Sequence, residues 1–100
     1  MRVRHDDDEL AQAESDPAYK GGLDQDLVCA FRDKMQIVRA VANETELYQW
    51  KSLHFEKLKG KRSHERSIRL TKKWRLILEI EPRDGANNNI CVIKKIEDYH

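Results

Sequence analysis

Two cysteines in 100 residues leave no disulfide framework on which a small secreted scaffold could be built. Both sit inside apolar runs, Leu27-Val28-Cys29-Ala30-Phe31 and Ile90-Cys91-Val92-Ile93, where a thiol ordinarily behaves as a small buried hydrophobe. The sequence therefore predicts two reduced core cysteines. The longest apolar run, Leu27 to Phe31, has five residues, so neither a membrane span nor the apolar core of a signal peptide can be drawn, and a cytoplasmic protein is expected. Two prolines and four glycines, with no repeat or low-complexity tract, provide no linker. Residues 1–100 are expected to form a single domain.

Familiar catalytic signatures are missing as well. There is no Gly-rich phosphate loop, Cys-x-x-Cys pair, His-Glu-x-x-His helix or Gly-x-Ser-x-Gly elbow. The four histidines, His5, His54, His64 and His100, are scattered without metal-ligand spacing. No metal and no cofactor is expected. Consecutive acids at Asp6, Asp7 and Asp8 are better read as a helix start than as a cation site.

What the chain has in quantity is charge. Lys, Arg, Asp and Glu make up 37% of it, against a usual quarter or so. The formal net charge is only +1, but its distribution is uneven: residues 1–50 carry −5 and residues 51–100 carry +6. Between Lys51 and Arg75 ten cations face only Glu56 and Glu65. Such density suits a phosphate backbone, although a solvated lysine-rich face is the commoner meaning of a charge run.

Hydrophobic period changes along the chain. Met1 to Arg4 is read as a short edge strand, and the acids from Asp6 open a short helix that Ser15-Asp16-Pro17 ends near Glu14. Leu27, Phe31, Met35, Val38 and Ala42 define an amphipathic helix from Asp24 to about Ala42. From Ser52 the period falls to two, giving strands at Ser52–Leu58, His64–Leu70, Trp74–Glu81 and Ile90–Ile96. The short connections imply an antiparallel meander. The predicted fold class is α+β, two N-terminal helices packed on one face of a roughly four-stranded antiparallel sheet.

Alternation sends Ile68, Leu70, Trp74, Leu76, Leu78 and Ile80 to one face, with the loop Thr71–Lys73 pairing Leu70 with Trp74. Ser67, Arg69 and Arg75 take the other, water-facing side. Arg69 and Arg75 then become cross-strand neighbours, an unfavourable pair unless an anion lies between them or carboxylates are near. A phosphate seat and a structural ladder neutralised by Glu56, Glu79 or Glu81 both fit that pattern. The end, Glu97-Asp98-Tyr99-His100, adds side chains able to move or orient protons. Cleavage of an RNA phosphodiester needs a base for the 2′-hydroxyl proton, cations for charge on the phosphoryl oxygens and an acid for the leaving oxygen. His100 fits acid or base, Tyr99 a stacking or proton-moving role, and Asp98 an orienting one.

Leu58-Lys59-Gly60, Ser67-Ile68-Arg69-Leu70, Trp74-Arg75-Leu76-Ile77 and the terminal Asp98-Tyr99-His100 resemble the HigB-type killer-protein branch of the RelE/ParE toxin superfamily. The likeness covers Leu53 to His100; residues 1–50 share only the order of a short and a long helix. It implies a small α+β toxin that cleaves messenger RNA in the ribosomal A site without a metal. It further implies a cognate HigA-like antitoxin with a helix-turn-helix fold, so that operator DNA is met only through that partner. On this resemblance Lys59 and Arg75 contact the reacting phosphate, Tyr99 and His100 flank the scissile nucleotide, and Asp98 supports them. Lys57, Lys61, Arg62, Arg66 and Arg69 would hold messenger or ribosomal RNA. Glu56 stands where many relatives have histidine, with His54 expected two positions earlier on the same strand face, which leaves the general base open. Two alternatives remain: a ParE-like inhibitor of DNA gyrase on the same fold, and a catalytically inactive module that binds RNA or an antitoxin.

Overall fold

The computed structural model of the chain describes residues 1–83 and 88–98. In chain order these form β1 (Arg2–His5), α1 (Asp8–Ser15), α2 (Gln25–Ala40), α3 (Glu44–Gln49), β2 (Glu56–Lys57), β3 (Glu65–Arg69), β4 (Trp74–Glu81) and β5 (Ile90–Asp98), with short 3-10 turns at Lys51–Leu53 and Gly60–Arg62. The three helices are each started by a side-chain cap, the device that satisfies otherwise orphaned N–H groups. Asp7 accepts from the N–H groups of Glu9 and Leu10 at 2.9 and 3.2 Å, Asp24 from Leu27 at 2.8 Å, and Asn43 from Glu46 at 3.1 Å.

The strands form one five-stranded sheet in the order β1-β5-β4-β3-β2. The meander from β2 to β5 is antiparallel, as the alternation predicts, and β1 adds a fifth strand parallel to β5. The hairpin between β3 and β4 has the expected register: the Leu70 N–H donates to the Trp74 carbonyl at 3.0 Å, and the Thr71 hydroxyl accepts from the N–H groups of Lys73 and Trp74. All three helices lie on one face. There Leu10 and Ala13 of α1, Leu27, Val28, Phe31, Met35 and Val38 of α2 and Leu47 of α3 pack with Ile68, Leu76, Leu78, Cys91 and Ile93 of the sheet. Trp74 and Ile80 share that face but are only partly buried.

Four expectations need correction. The long helix stops at Ala40, and Ala42 is exposed rather than part of its buried stripe. The strand drawn over Ser52–Leu58 shrinks to Glu56–Lys57, because Asn43-Glu44-Thr45-Glu46 caps a further helix whose end runs into a 3-10 turn. Leu53 and Phe55 are both buried, an alternation that imitates a strand, yet His54 between them is left-handed at φ 45°, so His54 and Glu56 do not share a strand face. Finally, Cys91 is buried and its thiol is pushed up to about 12 by desolvation, but Cys29 lies on the exposed side of α2. A run of five apolar residues on a helix necessarily turns one of them outward.

Candidate nucleic-acid interface

Among the described residues no helix covers the other face of the sheet, and strand register fixes what it presents. Arg69 of β3 lies opposite Arg75 of β4, which lies opposite Glu97 of β5. In the next row Ser67 faces Ile77 and Ile77 faces Lys95; beyond it Glu65 faces Glu79. Ser67 and Ile77 are fully buried although they point away from the main core. The 3-10 turn after β2 explains the cover. From that turn Arg62 donates to Glu65 on β3 and, through both terminal nitrogens, to Glu97 on β5. A guanidinium that joins carboxylates on β3 and β5 must cross β4, and the register places Ile77 beneath that crossing.

Glu97 is thus the hub of the face. Arg62 binds it in the two-pronged manner natural to guanidinium and carboxylate, and an Arg75 nitrogen stands 4.0 Å away. The hydrogen bonds from Arg62 hold the Glu97 carboxyl below its ordinary value, with Arg62, Arg75 and Lys95 adding favourable charge. The same bonds raise the Arg62 guanidinium above its usual range. Arg75 is only 13% exposed, so the expectation that it stands open in water does not hold. Neither Glu79 nor Glu81 neutralises it: Glu79 approaches Lys94 at 3.5 Å, and Glu81 takes Arg4 and Arg83 at 2.9 and 2.8 Å.

The residues expected to hold RNA divide between the two faces. Arg62, Arg69 and Arg75 gather on the open one. Lys59, whose carbonyl accepts the Arg62 N–H at 3.3 Å, and Lys61 are exposed on either side of Gly60 in the adjoining turn. Lys57 pairs in register with Arg66, and both take the opposite side, where Arg66 is bound by Glu44 of α3 at 2.7 Å. Asp98 lies opposite Trp74 and shares its side of the sheet, not that of Arg75. Tyr99 and His100 lie outside the described residues.

Glu97 is the residue that the sequence pattern did not single out. Strict alternation from Cys91 and Ile93 would put it among core positions, but the register shifts by one between Ile77 and Leu78, and an extra residue, Lys94, enters β5 there. From that bulge onward the faces are exchanged. Among the described residues, His64, Glu65 and Glu79 bring metal-ligating atoms within 4.8 Å of one another, yet Arg62 and Lys94 already engage the two carboxylates.

The arrangement can bind anions that carry two adjacent oxygens, as a phosphodiester does, through clustered guanidiniums flanked by exposed ammonium groups. No helix among the described residues is long and apolar enough to cross a membrane. No curated protein sequence matches the chain. Among solved structures it is similar to the YoeB/ParE toxin from Agrobacterium tumefaciens, with a TM-score of 0.58 and 13% identity over 100% of both chains, a likeness of fold. Residues 4–100 match the family described as the RelE-like toxin of type II toxin-antitoxin system HigB. With nearly its whole length so matched, the chain belongs to the HigB-like, RelE-fold toxins of type II toxin-antitoxin systems.

Proposed function

We propose that this toxin is an endoribonuclease that cleaves messenger RNA on the ribosome, in the cytoplasm, by attack of the 2′-hydroxyl on the adjacent phosphorus without a metal. The observation that carries the reading is the row of Arg69 and Arg75 on the face away from the described helices, with the Arg62 turn folded beside it. Guanidiniums held by a sheet can meet the charge that grows on phosphoryl oxygens during attack, which is the largest task in this reaction. Lys59 and Arg75 are assigned to the reacting phosphate, and Arg62, Arg69 and Lys61 to the flanking backbone. Arg66 and Lys57, on the opposite side, are better suited to ribosomal RNA or to structure than to the scissile phosphate. Tyr99 and His100, attached to the end of β5, are assigned to the nucleotide and to proton transfer, with Asp98 supporting them.

A type II toxin has an antitoxin partner, and we assign this one a HigA-like helix-turn-helix protein. Primer extension on messenger RNA from cells expressing the toxin is the decisive measurement. New 5′ ends within translated codons are expected, and they should vanish with His100→Ala or Arg75→Ala. Growth arrest without such ends, accompanied by loss of DNA supercoiling, would instead support a gyrase inhibitor.

A further inference from the structure

The arginine-bearing face holds an anion of its own, the Glu97 carboxylate. Glu97 is placed between Arg62 and Arg75 with its side chain 24% exposed, Arg62 38% and Arg75 13%, so water competes only partly for the pairing. A carboxylate and a phosphodiester offer a guanidinium the same fork of two oxygens and the same single charge. Both cannot occupy one guanidinium fork. Glu97 is also covalently fixed to β5, so it meets Arg62 without the translational entropy that an incoming strand must lose.

We propose that Glu97 is a built-in competitor for the anion seat of this toxin, and that an RNA phosphate must displace its carboxylate from Arg62 before the strand can settle on Arg69 and Arg75. This inference rests on the reading of the chain as an RNA-binding toxin. Only the two terminal nitrogens of Arg62 are committed to Glu97, while its Nε donates to Glu65. Released from Glu97, the guanidinium still holds Glu65, so it remains at the face. The consequence is selectivity. Loose RNA that touches only the exposed lysines Lys59 and Lys61 leaves the Arg62 to Glu97 pairing in place. A strand held with a phosphate over the Arg69 and Arg75 row replaces Glu97 and gains the third guanidinium.

The test is binding of a fluorescein-labelled, 2′-O-methylated RNA oligonucleotide, which cannot be cleaved, followed by anisotropy for the full-length toxin. Glu97→Gln is expected to tighten binding about fivefold, a typical scale for removing one competing charge pair. Glu81→Gln removes the same charge from the same face at its far end, where Glu81 meets Arg4 and Arg83, and should change binding little. Adding Arg62→Ala to Glu97→Gln should cancel the gain. Glu97→Asp, which keeps the charge but withdraws it by one methylene, serves if the glutamine variant does not fold as judged by its melting curve; it should fall between wild type and Glu97→Gln. Unchanged or weaker binding by both Glu97 variants, while Lys59→Ala and Arg69→Ala lose affinity, overturns the competitor role and leaves RNA binding standing. No RNA binding by any of these proteins sinks both.

Discussion

Arg75, Arg62 and Glu97 show how much of a residue's behaviour is set by what faces it. A guanidinium on the solvent side of a sheet is ordinarily wet, yet Arg75 is 13% exposed and one of its nitrogens stands 4.0 Å from Glu97. The pairing has a thermodynamic signature. Glu97 is held below its ordinary value by Arg62, and Glu14, bound by Arg39 at 2.6 Å and by His5 at 2.7 Å, is lowered chiefly by Arg39. A carboxyl whose folded-state pKa is lowered contributes stability that is fully present above its unfolded value and is lost as pH falls through the folded one. Stability against urea is therefore expected to be level near neutrality and to decline once the pH drops below 4.5, the ordinary glutamate value. Glu97→Gln and Glu14→Gln should each be less stable at neutral pH and decline less steeply in that acid window. Identical slopes in all three proteins would contradict the assignment of these two groups.

At the scale of elements, the Leu58-Lys59-Gly60 motif acquires a physical reason. Gly60 opens the 3-10 turn with φ +66°, a conformation in which an L side chain is strained, and the turn it opens carries Arg62 to the sheet. Gly60→Ala is expected to cost about 1 to 2 kcal/mol, all of it backbone strain since nothing lies within 4 Å of the added carbon. Gly60→Asn, which tolerates the left-handed region, should recover part of the loss. Urea midpoints of the three proteins measure this directly. The turn was visible in the sequence as a break after Leu58, but helix α3 was not, although Asn43 and Glu46 stand at the spacing of a capping box. Six residues offer too few turns for an apolar stripe: within α3 only Leu47 is buried, and Tyr48 is 50% exposed.

Across the whole molecule, the acidic first half and the basic second half are tied together. Glu44 binds Arg66, Asp6 binds Lys94 at 2.7 Å, and Arg4 binds Glu81, so part of the charge that the sequence keeps apart is neutralised in the fold. Strand β1 is the other tie. It pairs with β5 from Arg2 opposite Ile90 to His5 opposite Ile93, and it shields the edge of the strand whose far end carries Glu97 and Asp98. Deleting residues 1–5 should leave β5 with unpaired backbone groups along an apolar strand, a template for association. Lower melting temperature and concentration-dependent growth in light scattering are expected; a monomer with unchanged melting temperature would show that β1 merely decorates the sheet.

The helix start among the acids from Asp6, the stripe from Leu27 to Val38, and the three-residue hairpin that joins Leu70 to Trp74 could all be read from sequence, because each depends on residues within a few positions of one another. The parallel pairing of β1, the reach of Arg62 to Glu97 and the side of the sheet taken by Asp98 depend on residues 35 or more apart, or on the bulge at Lys94. Side chains alternate with period two only while pairing is regular, and one inserted residue reverses every face beyond it. That single irregularity sends Glu97 to the arginines and Asp98 to Trp74, a choice made by how β5 packs between β4 and β1 rather than by its own pattern of apolar and polar residues.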